Sequence, residues 1–390
     1  MIELERKYHL QVYRRYPVVI VKGRGMEVYD INNKKYLDFI AGIGVNNAGH
    51  CHPKIVEAIK NQAENLIHVS NLFYNIPQIE LAKRLVGLSK LDKAFFCNSG
   101  TEAIEGVIKF ARKYANKILN KKGEIITFYN AFHGRTYGAL SATPKDRIRE
   151  GFEPLLEGFK HLPFNNIEAL KEGVDNNTIA IMLELVQGEG GVNVAEMEFV
   201  KTIADICEDK NILLIVDEIQ TGIGRTGKMF AFEHYGIEPD MVTLAKALAG
   251  GLPIGAVLLK EEIEKALNYG DHGSTFGGNP LVCSAALANL SVIEELIRDN
   301  KVLKKGEYFL NRLKELDYEF IKDVRGLGLM IGVELEFNGN KIVEEMLKRG
   351  FLINCTSEKV LRFLPPLIVE KEEIDLLVDN LNEVFKNYSE

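Results

Sequence analysis

Through the middle of the chain, short apolar runs alternate with stretches whose apolar residues recur every three or four positions. Residues 93–97, 124–129, 178–185, 212–216, 241–244 and 256–259 read as strands. Several are apolar along their whole length, as strands covered on both faces must be. The clearest helix starts near Thr101 and places Ala103, Ile104, Val107, Ile108, Ala111, Tyr114, Ala115 and Ile118 on one face. A second, 199–207, comes just before the strand at Ile212. This alternation predicts an α/β fold, with a mostly parallel sheet and helices on both faces.

The two ends read differently. Residues 26–39 predict a hairpin, with Asp30-Ile-Asn-Asn as its turn. After about residue 285 a long helix leads into mixed strands and helices, broken at Gly326-Leu-Gly328 and Pro365-Pro366. A chain of 390 residues exceeds what one hydrophobic core usually serves. The expectation is a large domain over 46–285 and a smaller α+β domain built from both termini, 1–45 and 286–390.

Composition narrows the classes. A net charge of −7 with no basic run argues against a nucleic-acid surface. The charged start has no apolar core of the kind a secretory signal carries. No apolar run is read as reaching the ~20 residues that span a bilayer. Cysteines 51, 97, 207, 283 and 355 are scattered, with no CxxC and no zinc spacing. Reduced thiols, no metal centre and a cytoplasmic location are therefore expected.

Two patterns invite a reading that their context denies. Gly222-Ile-Gly224-Arg-Thr-Gly227 satisfies GxGxxG and most of a Walker A loop. The residues after it do not open a helix, and position 229, where the P-loop hydroxyl belongs, is Met. A flexible loop after a strand is expected. His50-Cys51-His52-Pro53 lacks partners for a metal and reads as a structural turn.

Chemistry gathers at the ends of the expected strands, where open α/β sheets place their ligands. Asp217 follows one strand, and Gln220 lies a turn further on. Lys246 follows another, ahead of small residues that leave it poorly solvated; burial frees such an amine as nucleophile and base. Asn98-Ser99-Gly100-Thr101-Glu102 joins a third strand to the amphipathic helix and presents an anion site at its N-terminus. Phe132-His133-Gly134-Arg135 follows a fourth, with an aromatic face and a guanidinium. Singly, each has a plain reading: a capping Asp, a snorkelling Lys, an ordinary N-cap, a packed Phe with a surface Arg. Together they supply what pyridoxal 5′-phosphate chemistry needs: a lysine for the aldehyde, a carboxylate for the ring nitrogen, phosphate donors and a flat side chain over the ring.

At these residues the sequence resembles the class III, fold-type I pyridoxal-phosphate aminotransferases, and within them the acetylornithine aminotransferase branch. The likeness runs nearly end to end. It includes Gly49-His-Cys-His-Pro, Asn98-Ser-Gly-Thr-Glu-Ala, Phe132-His-Gly-Arg-Thr, Gln187-Gly-Glu-Gly-Gly, Asp217-Glu-Ile-Gln-Thr-Gly, Ala245-Lys-Ala-Leu-Ala-Gly-Gly and Gly273-Ser-Thr-Phe-Gly-Gly-Asn-Pro. One departure is Ile104, where the family carries Asn; a local packing change is expected.

The resemblance implies roles. Lys246 would hold the cofactor as a Schiff base, Asp217 would pair with the pyridinium nitrogen and Gln220 would approach the 3-oxygen. Phe132, beside His133, would stack on the ring, while Ser99, Gly100 and Thr101 would hold the phosphate. Thr275 would reach the phosphate of a neighbouring subunit, which implies a homodimer with shared sites. Arg135, with Ser274 nearby, would bind the carboxylate far from the reacting amine. Arg362 would take the α-carboxylate of glutamate or 2-oxoglutarate, and Glu189 would cover it for the other substrate. The implied reaction moves the δ-amine of N2-acetyl-L-ornithine to 2-oxoglutarate, giving N-acetylglutamate 5-semialdehyde and glutamate, in arginine biosynthesis. Succinyl-diaminopimelate in lysine biosynthesis is a second implied donor. Ornithine, 4-aminobutyrate or carrier-bound lysine, an aminomutase, a racemase or decarboxylase, and a non-catalytic relic stay open beside it.

Overall fold

The computed structural model describes residues 1–388. Seven strands form the central sheet, in the order Lys93–Cys97, Gly255–Leu259, Met241–Leu244, Leu213–Asp217, Thr178–Leu183, Glu124–Phe128 and Phe159–Leu162. Gly255–Leu259 alone runs antiparallel to both neighbours. The other six therefore point the same way, and their carboxyl ends share one edge. Every residue of Thr178–Leu183, Leu213–Asp217, Met241–Leu244 and Gly255–Leu259 is buried, as a sheet covered on both faces requires.

The expected strands are present, with shifted ends. The run at 178 stops at Leu183, and Val186–Gln187 pairs separately with Asn193–Val194. The run at 212 starts at Leu213 and takes in Asp217, which sits opposite Thr243 in the register. The helix expected from Thr101 spans Gly100–Lys117, capped by Ser99 Oγ on the Glu102 N–H at 3.3 Å. Ile104 is fully buried among its apolar neighbours, so the departure at this position fills core.

The hairpin at 26–39 forms from Glu27–Asp30 and Lys35–Asp38. Its second strand pairs in parallel with Phe351–Leu352, which joins the two ends of the chain in one sheet. A further antiparallel sheet orders Ile321–Leu327, Met330–Leu335, Val360–Phe363 and Asn354–Thr356; its third strand carries Arg362.

Three expectations change. The long helix starts at Pro280, not after 285, with Asn279 Oδ1 capping the Val282 N–H at 3.0 Å. It thus runs through the expected domain boundary. The stretch Pro280–Lys314 is also long and apolar enough to cross a membrane by length and composition, contrary to the reading above. Half of its most apolar stretch is buried inside the protein, where the helix packs on Pro53–Asn65 and Ile76–Ser89. Third, the loop at 222–227 is not flexible. Arg225 in it is fully buried and donates to Leu329 O at 2.9 Å, to Pro365 O at 2.5 Å and to Asn47 Oδ1, tying three distant segments together. The His50–Pro53 turn has structural partners: His50 Nε2 lies 2.7 Å from Asp38 Oδ2, and His52 Nδ1 caps the helix Pro53–Asn65.

Candidate active site

A cavity of about 440 Å³ opens at the carboxyl edge of the central sheet. Ser99, Gly100, Thr101, Phe132, His133, Arg135, Glu189, Asp217, Gln220 and Lys246 all line it. They come from five segments at or just after the ends of different strands, which is why residues so far apart in sequence converge.

Asp217 is the most firmly held. It is 3% exposed. Its Oδ2 lies 2.7 Å from His133 Nδ1, and Oδ1 accepts from Thr243 Oγ1 at 3.1 Å and Ile219 N at 3.0 Å. Burial acts to lower the pKa of His133, but the hydrogen bond to Asp217 and its charge outweigh this and raise it. Two buried polar atoms at this site have no hydrogen-bond partner among the described residues: His133 Nε2 and Gln220 Nε2. Gln220 Oε1 accepts from Arg362 Nη1 at 3.4 Å.

Lys246 opens a short turn, Lys246–Ala249, with φ at +31°. That is an uncommon conformation for a side-chain-bearing residue, and surrounding structure must hold it. Buried Asn289 does so from the helix Pro280–Ile297, donating to Ala247 O at 2.7 Å and Leu248 O at 3.1 Å. Burial pushes the Lys246 ammonium down, Glu189 pulls it back and Arg362 lowers it again. Among the described residues no ion pair or hydrogen bond engages this ammonium.

At the Gly100–Lys117 helix start, the Thr101 hydroxyl is already taken. It accepts from Arg135 N at 3.1 Å and Thr136 N at 3.2 Å. Gly134 permits this approach, since a Cβ there would meet Thr101 Oγ1 at 2.3 Å. What the helix offers an anion is therefore its first N–H groups, which have no carbonyl within the helix to bond.

Arg135 is exposed at the mouth, its guanidinium 5.5 Å from the centre of the Phe132 ring. No described residue forms an ion pair with it. Arg362 is the reverse: it is 1% exposed, and its Nη1 and Nε are engaged. Its Nη1 donates to Glu189 Oε1 at 2.5 Å and Gly188 O at 3.0 Å, and its Nε to Asn354 Oδ1 at 3.3 Å. Gly188 allows Gln220 this close, because a Cβ would lie 1.7 Å from Gln220 Oε1. Burial works to raise the Glu189 pKa, yet Arg362 and Lys246 hold its carboxyl down at about 2.

Ser274 and Thr275 do not reach this cavity within one chain. Ser274 Oγ accepts from Asn98 Nδ2 and from Gly277 N, both at 3.0 Å, and Thr275 is exposed. Ser274 is held beside Asn98, which itself lines the cavity. Residues that sequence reading missed are Thr243 and Asn289, which brace Asp217 and the Lys246 turn, and Glu184. Glu184 lines the cavity and accepts from Phe132 N at 2.9 Å; burial raises its pKa. Alternation of apolar residues gives no signal for such bracing groups.

The family model for class-III aminotransferases matches residues 9–385. The chain belongs to the class-III aminotransferases. It is 69% identical over 387 residues to the acetylornithine aminotransferase of Methanocaldococcus jannaschii, covering 98% of this chain and 97% of that protein. It is 52% identical to the enzyme of the same name from Caldanaerobacter subterraneus, with 98% of each covered. Among solved structures, ornithine aminotransferase from Toxoplasma gondii superposes with a TM-score of 0.95 at 36% identity, covering 99% of this chain and 94% of that one.

Class-III aminotransferases use pyridoxal phosphate, and the residues present fit it. The cavity offers an unengaged lysine amine, a buried carboxylate held by His133, Thr243 and Ile219, an anion site at a helix start, and the two orphaned donors or acceptors of Gln220 and His133. In such an enzyme the cofactor does the electronic work and the protein supplies orientation and charge.

Proposed function

We propose that this aminotransferase moves the terminal amine of N2-acetyl-L-ornithine to 2-oxoglutarate, giving N-acetylglutamate 5-semialdehyde and glutamate. The observation that carries this reading is the contrast between two arginines at one cavity. Arg135 is free and Arg362 is covered by Glu189. Both substrates carry a carboxylate far from the reacting carbon, and Arg135 takes it in either case. Only glutamate and 2-oxoglutarate carry a second carboxylate next to that carbon. Glu189 closes Arg362 when the ω-amine enters and leaves it when the second carboxylate arrives. An intramolecular aminomutase needs no such alternation.

Bound pyridoxal phosphate supplies an electron sink for the charge left on the amine carbon when its proton departs. Lys246 holds the cofactor and then takes that proton, which its lowered pKa favours. Asp217 would keep the ring nitrogen protonated, and His133 and Thr243 fix the carboxylate for this. Phe132 would pack on the ring, Gln220 Nε2 would serve the 3-oxygen, and the N–H groups of Gly100 and Thr101, with Ser99, would hold the phosphate.

A second copy of the chain completes the site in this reading. Around the 274–277 turn lie Leu72, Phe73, Tyr74, Ile76, Tyr269 and Phe276, all exposed, with Tyr74 at 96%. Asn71 ties them to the turn, donating to Ser274 O at 2.9 Å and Gly277 O at 3.0 Å. Exposed apolar residues on segments tied together in this way belong against another protein surface. There Thr275 meets the neighbour's phosphate site, and Ser274 comes close to its Arg135.

The acylated donor is favoured by the relatives named acetylornithine aminotransferase, at 44–69% identity. Bare ornithine is the second reading, favoured by the superposition on ornithine aminotransferase. A panel with 2-oxoglutarate decides: N-acetylornithine, N-succinyl-diaminopimelate, ornithine, 4-aminobutyrate and an acylated lysine. The highest kcat/KM belongs to N-acetylornithine; a preference for any other donor overturns the assignment. Borohydride reduction should fix the cofactor's mass on the Lys246 peptide, and its appearance on another lysine would refute the role of Lys246.

A further inference from the structure

The carbonyl of Glu189 is gripped by three donors. Lys145 Nζ approaches at 2.8 Å, Thr356 Oγ1 at 2.9 Å and Ser357 Oγ at 3.2 Å. The last two stand at the turn between Asn354–Thr356 and Val360–Phe363, the strand that carries Arg362. Ser357 and Glu358 both have positive φ, +47° and +64°, so the turn is bent tightly. One residue earlier, Gly188 O accepts from Arg362. The backbone at 188–189 is thus pinned from both sides. Among the described residues the Glu189 carboxylate, by contrast, has one side-chain partner, Arg362. If the gate opens, the side chain moves and the main chain stays.

An opened Glu189 is best fixed by a counter-charge: its side chain is only partly buried, 28% exposed, and a nearby cation would hold one rotamer among those open to it. Three cations act on it: Arg362, Lys246 and Lys145. Arg362 is given over to the incoming carboxylate. Lys246 must be neutral to serve as base. Lys145 is left. Its ammonium touches Glu189's own carbonyl oxygen, within reach of the carboxylate after rotation about the Cα–Cβ bond. Of its three protons that contact uses one, and no described residue forms an ion pair with it. The other charges around it are Glu184, Arg362 and Arg135.

We propose that Lys145 receives the Glu189 carboxylate when it leaves Arg362, and so acts as the positioning residue for the open gate. This rests on the gate reading given under the proposed function.

The test uses the cofactor-loaded wild type, Lys145→Met, Lys145→Arg, Glu189→Gln and the Met/Gln double variant. Glutarate, a dicarboxylate that spans both arginines and cannot react, is titrated by calorimetry. The glutamate and N-acetylornithine half-reactions are followed separately by stopped-flow absorbance. Lys145→Met should weaken glutarate roughly tenfold and slow the glutamate half by a similar factor relative to the N-acetylornithine half. Lys145→Arg should recover most of this. In the Glu189→Gln background the Met substitution should cost less than about twofold, since no carboxylate is left to receive. Equal losses in both halves, or the same loss with and without Glu189, overturn the role of Lys145 and leave the gate standing. If Glu189→Gln alone does not shift the balance between the halves, the gate falls and the role of Lys145 with it.

Discussion

Arg362 is buried to 1% exposure, and the carboxylate of Glu189 lies on it at 2.5 Å. Because Arg362 and Lys246 hold Glu189 at a pKa of about 2, it is ionised at any working pH. Closure is therefore a charge interaction, and an uncharged isostere should abolish it. Glu189→Gln is expected to raise kcat/KM for the glutamate half-reaction relative to the N-acetylornithine half by roughly tenfold, the scale of one charge-assisted hydrogen bond. Single-turnover absorbance traces for each half measure this. An unchanged ratio sinks the gate.

Asn289 has no place in the chemistry, yet it holds the turn on which Lys246 sits. Asn289→Leu keeps the branched outline of the side chain but leaves the Leu248 carbonyl buried without a donor and Ala247 O with only the Gly250 N–H at 3.4 Å. Each such loss costs about 1–3 kcal/mol. The variant should melt at lower temperature and release pyridoxal phosphate faster on dialysis, as its visible absorbance shows. A stable variant that keeps its cofactor would mean that Lys246 needs no such brace.

Glu218, next to Asp217 but turned from the cavity, predicts a pH effect. Its Oε2 accepts from Thr221 Oγ1 at 2.6 Å and its Oε1 from Phe232 N at 2.9 Å. Burial raises its pKa from 4.5 to about 7, against those hydrogen bonds. A carboxyl whose folded pKa lies above its unfolded one binds its proton more tightly when folded. That stability is complete below about pH 4.5 and is lost as pH rises through about 7. Glu218→Gln mimics the protonated form and should not lose it. The variant should be the more stable at about pH 8, by up to an order of 3 kcal/mol, with the gap closing toward pH 4.5. Parallel melting curves across that range would contradict this.

The cavity residues were legible because each follows an apolar run, and the ends of such runs in an α/β sheet share one edge. The run at 178 was read two residues too long, since Leu185 continues the apolar pattern and no Gly or Pro marks the turn at Glu184. The start at Pro280 had a signal, Asn279 followed by proline, that was taken only as part of a longer motif. Arg225 was not legible at all. A charged residue between glycines reads as surface, and its partners, Asn47, Leu329 and Pro365, are more than a hundred residues away. Lys145 and Asn289 escaped for a similar reason: they bond main-chain carbonyls, which carry no sequence signature.

Thr275 poses the sharpest question about assembly, because it is proposed for the phosphate site yet does not line the cavity of its own chain. If it serves the neighbour, two inactive variants should repair each other. Thr275→Asp sets a carboxylate against the phosphate site and should lose cofactor by charge repulsion. Lys246→Ala lacks the amine. In a hybrid dimer, the Ala variant lends its Thr275 to the chain that still has Lys246, and one of the two sites is whole. Random pairing of equal amounts makes half of the dimers hybrids, each with one working site, so activity should return to about a quarter of wild type. Co-expression with two different affinity tags isolates the hybrid, and its steady-state rate with N-acetylornithine reads the result. Were Thr275 to serve its own chain, each half of the hybrid would carry its own defect. The isolated hybrid would then stay inactive, and the shared-site dimer would be refuted.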